Sequence, residues 1–434
     1  MSDIMLNNFQ LFTDRAYVSS LPDGLRSHMK RQGLISASDI KIHFCGVVTY
    51  LNGIAVFMPR NTDLTGIEKS KPAAASLVFA MSRYFRERGT EIYSCELGEG
   101  AYGDAQLGLF LALLEDYSLN GLYSLRVTER TVNIGKTDWR RTINRSRSFP
   151  GKGGPVYIDM FGSRRRYLSA CETAQIHARV IRELDSVLGW AITGDDSLID
   201  ETLLRTPLPV GGTEYQITVL ESAFNSAYSD RDIFLIGSLL NYLRNKRGND
   251  LSDQVIGLRH FHGMWEHMLD NCLKWTRSVN QYIAVPVYRI KGVYQAAARK
   301  GQRTDTVLKH PKNNVFTVVD AKYYEASGLN SSPGWPDLVK QFYYAKALKQ
   351  VHEEAIVLNA FIFPGKEGPV ESAHMAERGK GEVIEDDLLE DEYPSIRCIY
   401  QDPLELLECY VKGRKLIGLS SDLLFTYDKK FIAD

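Results

Sequence analysis

The sequence lacks several features that would place the protein in a membrane or outside the cell. No apolar run approaches the length needed to cross a bilayer, and residues 1–24 are too polar for a secretory signal. The six cysteines include no Cys-x-x-Cys pair, which argues against a zinc ribbon and against a disulfide framework. We therefore expect a cytoplasmic protein with no membrane segment.

Net charge is almost absent as well, and a formal value of −1 does not by itself indicate a nucleic-acid-binding protein. The distribution of charge is more informative, because residues 136–166, the basic segment, contain nine Lys and Arg and only two acids. This segment can contact DNA phosphates, contact a partner protein, or lie solvated at the surface. The candidate DNA-binding residues within it are Arg140, Arg141, Arg145 and Arg147.

A complete nucleotide-binding loop is also missing. Gly135, Lys136 and Thr137 look like the end of a P-loop, but that motif needs a glycine at position 130, where Arg130 stands. The surrounding residues also favour strands rather than a strand, loop and helix. We therefore expect that this chain itself binds no nucleotide.

The length of 434 residues and the ordinary balance of apolar and charged residues predict a globular protein of two or three domains. Strand and helix patterns alternate along the chain, so the fold class is α/β with several domains. We expect an α+β region over 1–110 that docks a partner or reads a target. A mixed strand and helical region with the basic segment follows over 111–250, and 251–434 form a third region.

The third region contains a predicted hairpin that gathers charged side chains. Residues 315–319 are β-branched and aromatic, and residues 310–314 have turn chemistry. Asp305 and Asp320 are equally far from the centre of that turn, so they should lie opposite each other. Asp320 and Lys322 share one strand face. Two opposed carboxylates repel each other unless a cation lies between them, and Mg²⁺ takes such oxygen ligands.

The elements around this hairpin offer two further candidates. An amphipathic helix is predicted over 336–348, followed by a short apolar strand over 355–363. Another helix with an apolar stripe is predicted over 258–275. Gln341 lies within the first two turns of one helix, and Glu266 lies at the edge of the stripe of the other. Each can reach the hairpin or be an ordinary polar residue beside a buried face.

Residues 319–324, with Glu266 before them and Gln341 after them, resemble the McrC-type nuclease subunits and the related LlaJI-type restriction endonucleases. Both belong to the PD-(D/E)xK nuclease superfamily. The resemblance implies a restriction-endonuclease-like core, which is a central mixed sheet flanked by helices. Thr304 stands where the superfamily motif has proline.

The resemblance also implies roles for five residues. Asp305 and Asp320 would bind Mg²⁺, and Lys322 would position the attacking water or stabilise the charge that grows on the phosphate. Glu266 and Gln341 would complete the catalytic site. The chain would then be a Mg²⁺-dependent deoxyribonuclease that cuts double-stranded DNA.

The biological setting follows from the resemblance alone. McrC-type subunits dock on a ring-forming AAA+ GTPase and stimulate its hydrolysis, so the implied function is an endonuclease subunit of a bacterial restriction or anti-phage system with a McrB-like partner. Three alternatives stay open. They are a stand-alone LlaJI-type restriction endonuclease, a non-catalytic assembly or activator subunit with a degenerate nuclease fold, and a nuclease of repair or recombination.

Overall fold

The structure is a computed structural model that describes residues 9–50, 53–66, 70–88, 101–168, 170–194, 197–246, 254–297, 303–379 and 383–431. In chain order the described strands are β1 (Phe9–Thr13), β2 (Cys45–Tyr50), β3 (Gly53–Met58), β4 (Ala101–Tyr102), β5 (Leu125–Val132), β6 (Lys136–Thr137), β7 (Ser148–Gly151), β8 (Gly154–Tyr157), β9 (Phe161–Leu168), β10 (Val255–Leu258), β11 (Val287–Ile290), β12 (Val293–Ala296), β13 (Thr306–Lys309), β14 (Val315–Ala321), β15 (Ile356–Pro364), β16 (Ser372–Ala373) and β17 (Ile396–Gln401). The described α-helices are α1 (Asp23–Arg31), α2 (Lys71–Arg88), α3 (Asp104–Asn120), α4 (Trp139–Arg145), α5 (Glu172–Leu184), α6 (Trp190–Thr193), α7 (Glu201–Arg205), α8 (Thr213–Asn225), α9 (Asp230–Asn245), α10 (His262–Cys272), α11 (Trp335–Val351), α12 (Pro403–Val411) and α13 (Ile417–Phe431).

The chain forms two compact units, one made of Met1–Leu107 and Ser252–Asp434 and the other of Gly108–Leu251. The first unit therefore joins the N-terminal and C-terminal regions into which we divided the sequence. The reason is a strand pairing between distant residues, because β10 lies between β2 and β4 in one sheet. The assignment of separate roles to the three regions remains a prediction.

The sheet that joins the ends of the chain has the order β1-β3-β2-β10-β4. Strand β1 is parallel to β3, and the other pairs are antiparallel. Gly46 of β2 lies opposite Gly257 of β10, and a Cβ atom on Gly46 would come within 2.2 Å of the Ile256 carbonyl oxygen. Only glycine permits this close approach of the two backbones.

A second sheet in the same unit has the order β13-β14-β15-β17-β16. Its three central strands are parallel, and both edge strands are antiparallel to their neighbours. All residues of β14 and nearly all of β15 are buried or half-buried, which explains their continuous apolar sequences. Helix α10 packs on β14, and helix α11 packs on β14 and β15.

These elements confirm the α/β class, with mixed sheets flanked by helices. The helix predicted over 336–348 and the strand predicted over 355–363 are α11 and β15. The helix predicted over 258–275 begins later, because Leu258 is the last residue of β10. Its predicted apolar stripe is nevertheless buried, with Met264, Trp265 and Met268 fully enclosed.

The second unit combines a three-stranded antiparallel sheet, of order β5-β9-β6, with a hairpin of β7 and β8 and several helices. Leu184, Leu220 and Leu239 from α5, α8 and α9 are fully buried among these helices. The Gly- and Pro-rich stretch 149–155 is part of the β7–β8 hairpin. Lys136 and Thr137 form strand β6, which confirms the strand-like context of the incomplete nucleotide loop.

The described part of the chain contains no helix that is both long and apolar enough to span a membrane. Cys45, Cys171, Cys272, Cys398 and Cys409 are free thiols, and Cys95 lies outside the described residues.

Candidate active site

The β13–β14 hairpin aligns two carboxylates. Thr306 pairs with Val319, and the same register continued by one residue places Asp305 opposite Asp320. This is the opposition that the turn at 310–314 predicts, and the His310 amide closes the ladder by donating to the Val315 carbonyl at 2.9 Å. Asp320 lies near the end of β14 and is 8% exposed.

The neighbours of Asp305 form a hydrogen bond with its carboxyl group and raise its pKa. The Ala321 amide donates a hydrogen bond of 3.1 Å to its Oδ2, and its carboxyl is close enough to Asp320 for the two groups to share a hydrogen bond. Withdrawal from water, followed by the Asp320 carboxyl and the charge of Glu266, raises the pKa of Asp305 well above that of an ordinary carboxyl. Much of Asp305 remains in contact with water, which limits this shift.

Lys322 lies between two carboxylates. Its Nζ is 2.6 Å from Oδ2 of Asp320 and 2.7 Å from Oδ1 of Asp337. The Lys322 ammonium donates a hydrogen bond to Asp337, and its contact with Asp320 is an ion pair. Burial alone would lower the pKa of Lys322, but the two carboxylates outweigh it and the pKa is raised. Lys322 therefore stays protonated.

One face of α11 lines this cluster. Asp337, Gln341 and Tyr344 lie four and three residues apart, so they share that face. Burial, followed by the charges of Asp305 and Asp320, raises the pKa of the Tyr344 phenol. The hydroxyl of Tyr324 also donates to Asp337, at 3.2 Å.

Gln341 is fully buried between these helix residues, so it is not a solvated surface residue. Its Nε2 donates a hydrogen bond of 3.0 Å to the Ala360 carbonyl of β15. Its Oε1 has no hydrogen-bond partner among the described residues. Gln341 thus fastens α11 to the sheet at the level of the two carboxylates, because Ala360 pairs with Val319.

Glu266 approaches the cluster from α10. It is half-buried, and its charge acts on Asp305. One turn further along α10, Asp270 accepts a hydrogen bond of 2.9 Å from the Thr306 hydroxyl. Helix α10 is therefore fixed to the start of β13, directly beside Asp305.

Of the five residues predicted to form the catalytic site, Asp305, Asp320 and Lys322 form one cluster. Glu266 lies near enough for its charge to act on Asp305, and Gln341 is buried on the face of α11 that carries Asp337. Sequence reasoning missed Asp337 and Tyr344, although their spacing from Gln341 on one helix was a usable signal. The arginines of the basic segment belong to the other unit. Arg140, Arg145 and Arg147 are exposed there, and the Arg141 guanidinium lies 4.7 Å from the centre of the Phe161 ring.

The donor set fits a magnesium ion. No group of three or more His, Cys, Asp or Glu in the described ranges is arranged to enclose a metal. Mg²⁺ does not need such a group, because it keeps several waters and binds through one or two carboxylates and a substrate phosphate. Asp305 and Asp320 are opposed and Lys322 pairs with Asp320 and Asp337, so a divalent cation between the two opposed carboxylates would offset their mutual repulsion.

Comparison with known families identifies the chain. The model of the LlaJI restriction endonuclease family matches residues 44–372, which include every candidate residue discussed so far. The chain belongs to the LlaJI restriction endonuclease family. Part of the N-terminal sheet and the whole second unit fall within the match, so the family extends well beyond the hairpin.

Individual relatives of this LlaJI family member are distant. The type II restriction enzyme BsuMI component YdjA of Bacillus subtilis strain 168 is 23% identical over 362 residues, which cover 77% of this chain and 76% of that protein. Among solved structures, a chain in a half-complex of Thermococcus gammatolerans McrB AAA+ hexamers with bound McrC matches 94% of this chain and 98% of its own length, with 11% identity and a TM-score of 0.37. A chain of the McrBC complex of the same organism matches 54% of this chain and 79% of its own length, also with 11% identity, and its TM-score is 0.23.

Proposed function

We propose that this LlaJI family member is a Mg²⁺-dependent endonuclease that cuts double-stranded DNA, and that residues 251–434 contain a PD-(D/E)xK core. The observation that supports this most is the opposition of Asp305 and Asp320 with Lys322 beside them. The order of α10, the β13–β14 hairpin, α11 and β15 is the order that such a core requires. Family membership supports the same activity.

We propose different roles for the residues of the site. Asp305 and Asp320 would hold the ion, which when bound polarises the phosphate and lowers the pKa of a water molecule. Lys322 is protonated, so we propose that it stabilises negative charge on the phosphate rather than removing a proton from water. Asp337 positions Lys322 through its hydrogen bond.

The remaining candidates act less directly. Gln341 is a positioning residue, because its amide ties α11 to β15 and so keeps Asp337 within reach of Lys322. Glu266 adds a third negative charge near Asp305, which increases the attraction of the site for a divalent cation.

We also propose that cleavage is coupled to a McrB-like AAA+ GTPase ring, which rests on the sequence resemblance to McrC-type subunits. The test uses the full chain, because a fragment ending near residue 250 would lose β10 from the middle of its sheet. With the ring, GTP and Mg²⁺ together we expect cleavage of duplex DNA, and with EDTA in place of Mg²⁺ we expect none. Without the ring we expect slow cleavage, and the chain should raise the rate of GTP hydrolysis by the ring.

Two results would contradict this coupled endonuclease. Efficient, site-specific cleavage by the purified chain with Mg²⁺ alone would favour a stand-alone enzyme. Faster GTP hydrolysis by the ring without cleavage under any divalent metal would favour a non-catalytic activator.

We further propose that the basic segment contacts DNA phosphates. Replacing Arg140, Arg141, Arg145 and Arg147 together by alanine should weaken binding to duplex DNA. The slope of log affinity against log salt concentration should flatten by about 0.9 for each phosphate that the variant no longer neutralises. The matched control is Arg205→Ala, which removes an exposed arginine of the same unit that is paired with Glu201.

The measurement is titration of a labelled duplex at several salt concentrations. Unchanged DNA binding combined with lost binding to the GTPase ring would assign the segment to a protein interface instead. No change in either binding reaction would show that the segment is an ordinary solvated surface.

A further inference from the structure

A two-stranded β-ribbon lies in the chain between the two acids Glu266 and Asp305. Strands β11 and β12 pair from Val287 opposite Ala296 to Ile290 opposite Val293, and all of their residues are exposed. The turn between them consists of Lys291 and Gly292, whose φ angles of 49° and 86° are both in the left-handed region. Such a turn matches the natural twist of a hairpin.

The charged side chains of the segment that contains this ribbon, residues 271–304, which we call the link, are all positive. Residues 271–304 include seven Lys and Arg and neither Asp nor Glu. The acids at its two borders are Asp270 and Asp305. A basic link therefore begins on the helix that carries Glu266 and ends at the first candidate metal ligand.

The segment that carries the ribbon is closed by hydrogen bonds beside the candidate active site. Hydrogen bonds between Asn280 and Thr304 join the two ends of this segment. The Thr304 amide and hydroxyl each donate to Asn280 Oδ1 at 2.9 Å. The side-chain amide of Asn280 in turn donates to the Thr304 carbonyl at 3.1 Å. Thr304 directly precedes Asp305, so the two ends of the segment that carries the ribbon meet beside the opposed carboxylates.

The ribbon exposes apolar surface as well as charge. Val287, Ile290, Val293 and Tyr294 are 54%, 48%, 61% and 72% exposed. The Arg289 guanidinium lies 5.7 Å from the centre of the Tyr294 ring on the neighbouring strand. An isolated two-stranded hairpin is only marginally stable in water, so a ligand that covers the ribbon would stabilise it.

We propose that the β11–β12 ribbon binds in a groove of duplex DNA next to the phosphate that is cut, which rests on the proposed nuclease function. The major groove is wide enough to admit a two-stranded ribbon. A link with seven cations and no acid complements a polyanion. Arg289, which shares one face of the ribbon with Val287 and Tyr294, has hydrogen-bonding groups that read base edges, and Lys291 at the turn can reach a phosphate.

The first test is DNA binding by the full chain without Mg²⁺, so that no cleavage occurs. The double variant Arg289→Ala/Lys291→Asn, in which asparagine tolerates the left-handed φ of position 291, should bind a labelled duplex roughly tenfold more weakly, with a salt slope lower by about 0.9 for each phosphate that it no longer neutralises. The matched control is Lys412→Ala/Arg414→Ala, which removes two exposed cations of the same unit that lie near Glu408. This control should bind DNA as the unaltered chain does.

The second test is protection from trypsin, which cuts after Arg289 and Lys291 in the exposed ribbon. Saturating duplex DNA should protect both sites. Unchanged affinity and salt slope in the double variant, or continued cutting at Lys291 under saturating DNA, would overturn the proposal. Protection from trypsin that increases with protein concentration in the absence of DNA would also overturn the proposal. It would indicate that the ribbon contacts a second copy of the chain.

These tests are independent of the nuclease assignment, because neither requires cleavage. If the chain binds DNA through the ribbon but never cuts it, the proposed endonuclease function is refuted and the proposed DNA contact of the ribbon still holds. The opposite result is loss of cleavage in Asp320→Ala with no change in DNA binding when Arg289 and Lys291 are replaced. It would support the proposed endonuclease function and refute DNA binding by the ribbon.

Discussion

Replacement of Asp320 by alanine is expected to abolish DNA cleavage in the presence of Mg²⁺. The variant loses one of the two carboxylates proposed to hold the ion, and with it several kcal/mol of transition-state stabilisation. A loss of about 4 kcal/mol corresponds to roughly a thousandfold decrease in rate. The measurement is the rate of duplex cleavage at saturating Mg²⁺, with GTP and the AAA+ ring present.

The fold of this variant should survive. Removing Asp320 relieves its repulsion with Asp305 in the metal-free protein, but it also takes one ion-pair partner from Lys322, which keeps Asp337. Because these two effects oppose each other, the thermal midpoint without metal should stay close to that of the unaltered chain. Glu353→Ala, which removes an exposed acid from the same unit, should change neither activity nor stability. Undiminished cleavage by Asp320→Ala would refute the assignment of the site.

Replacement of Lys322 by alanine is expected to lower both activity and stability. The Lys322 side chain is only 11% exposed and forms ion pairs with Asp320 and Asp337, so its removal leaves two carboxylates without their cation. Breaking a largely buried ion pair from one side costs about 3 kcal/mol. Cleavage should fall along with stability, because Lys322 is proposed to stabilise the negative charge on the phosphate. Chemical denaturation and the cleavage rate measure the two effects.

A second variant separates the two effects. The double variant Lys322→Ala/Asp337→Asn replaces one of the two unpaired carboxylates by a neutral amide. Much of the lost stability should therefore return, while cleavage stays low. Lys346→Ala, which removes an exposed lysine from α11, serves as the control and should behave as the unaltered chain does. Normal cleavage by Lys322→Ala would show that the lysine takes no part in the reaction.

The central hairpin was predictable from local sequence because its geometry depends on a single turn. The turn chemistry of residues 310–314 fixes the register of β13 and β14, and that register alone sets Asp305 against Asp320. The alternation of strand side chains then places Lys322 on the face of Asp320. No long-range information is needed for either step.

Other features depended on contacts that the sequence does not encode locally. The contact of Asp337 with Lys322 depends on how α11 packs on the sheet, which local sequence does not specify. The pairing of β10 with β2 joins residues that are far apart in the chain, so the N-terminal region could not be recognised as part of the same unit. The burial of Gln341 follows from the packing of α11 on the sheet.

The most direct test of the central claim is the number of divalent ions that the chain binds. Mn²⁺ can replace Mg²⁺ in this titration, because it prefers the same oxygen ligands and is visible by electron paramagnetic resonance. We predict one ion bound by the unaltered chain in competition with Mg²⁺, and greatly weakened binding in both Asp305→Asn and Asp320→Asn. Retention of the same bound ion by both variants would contradict the account.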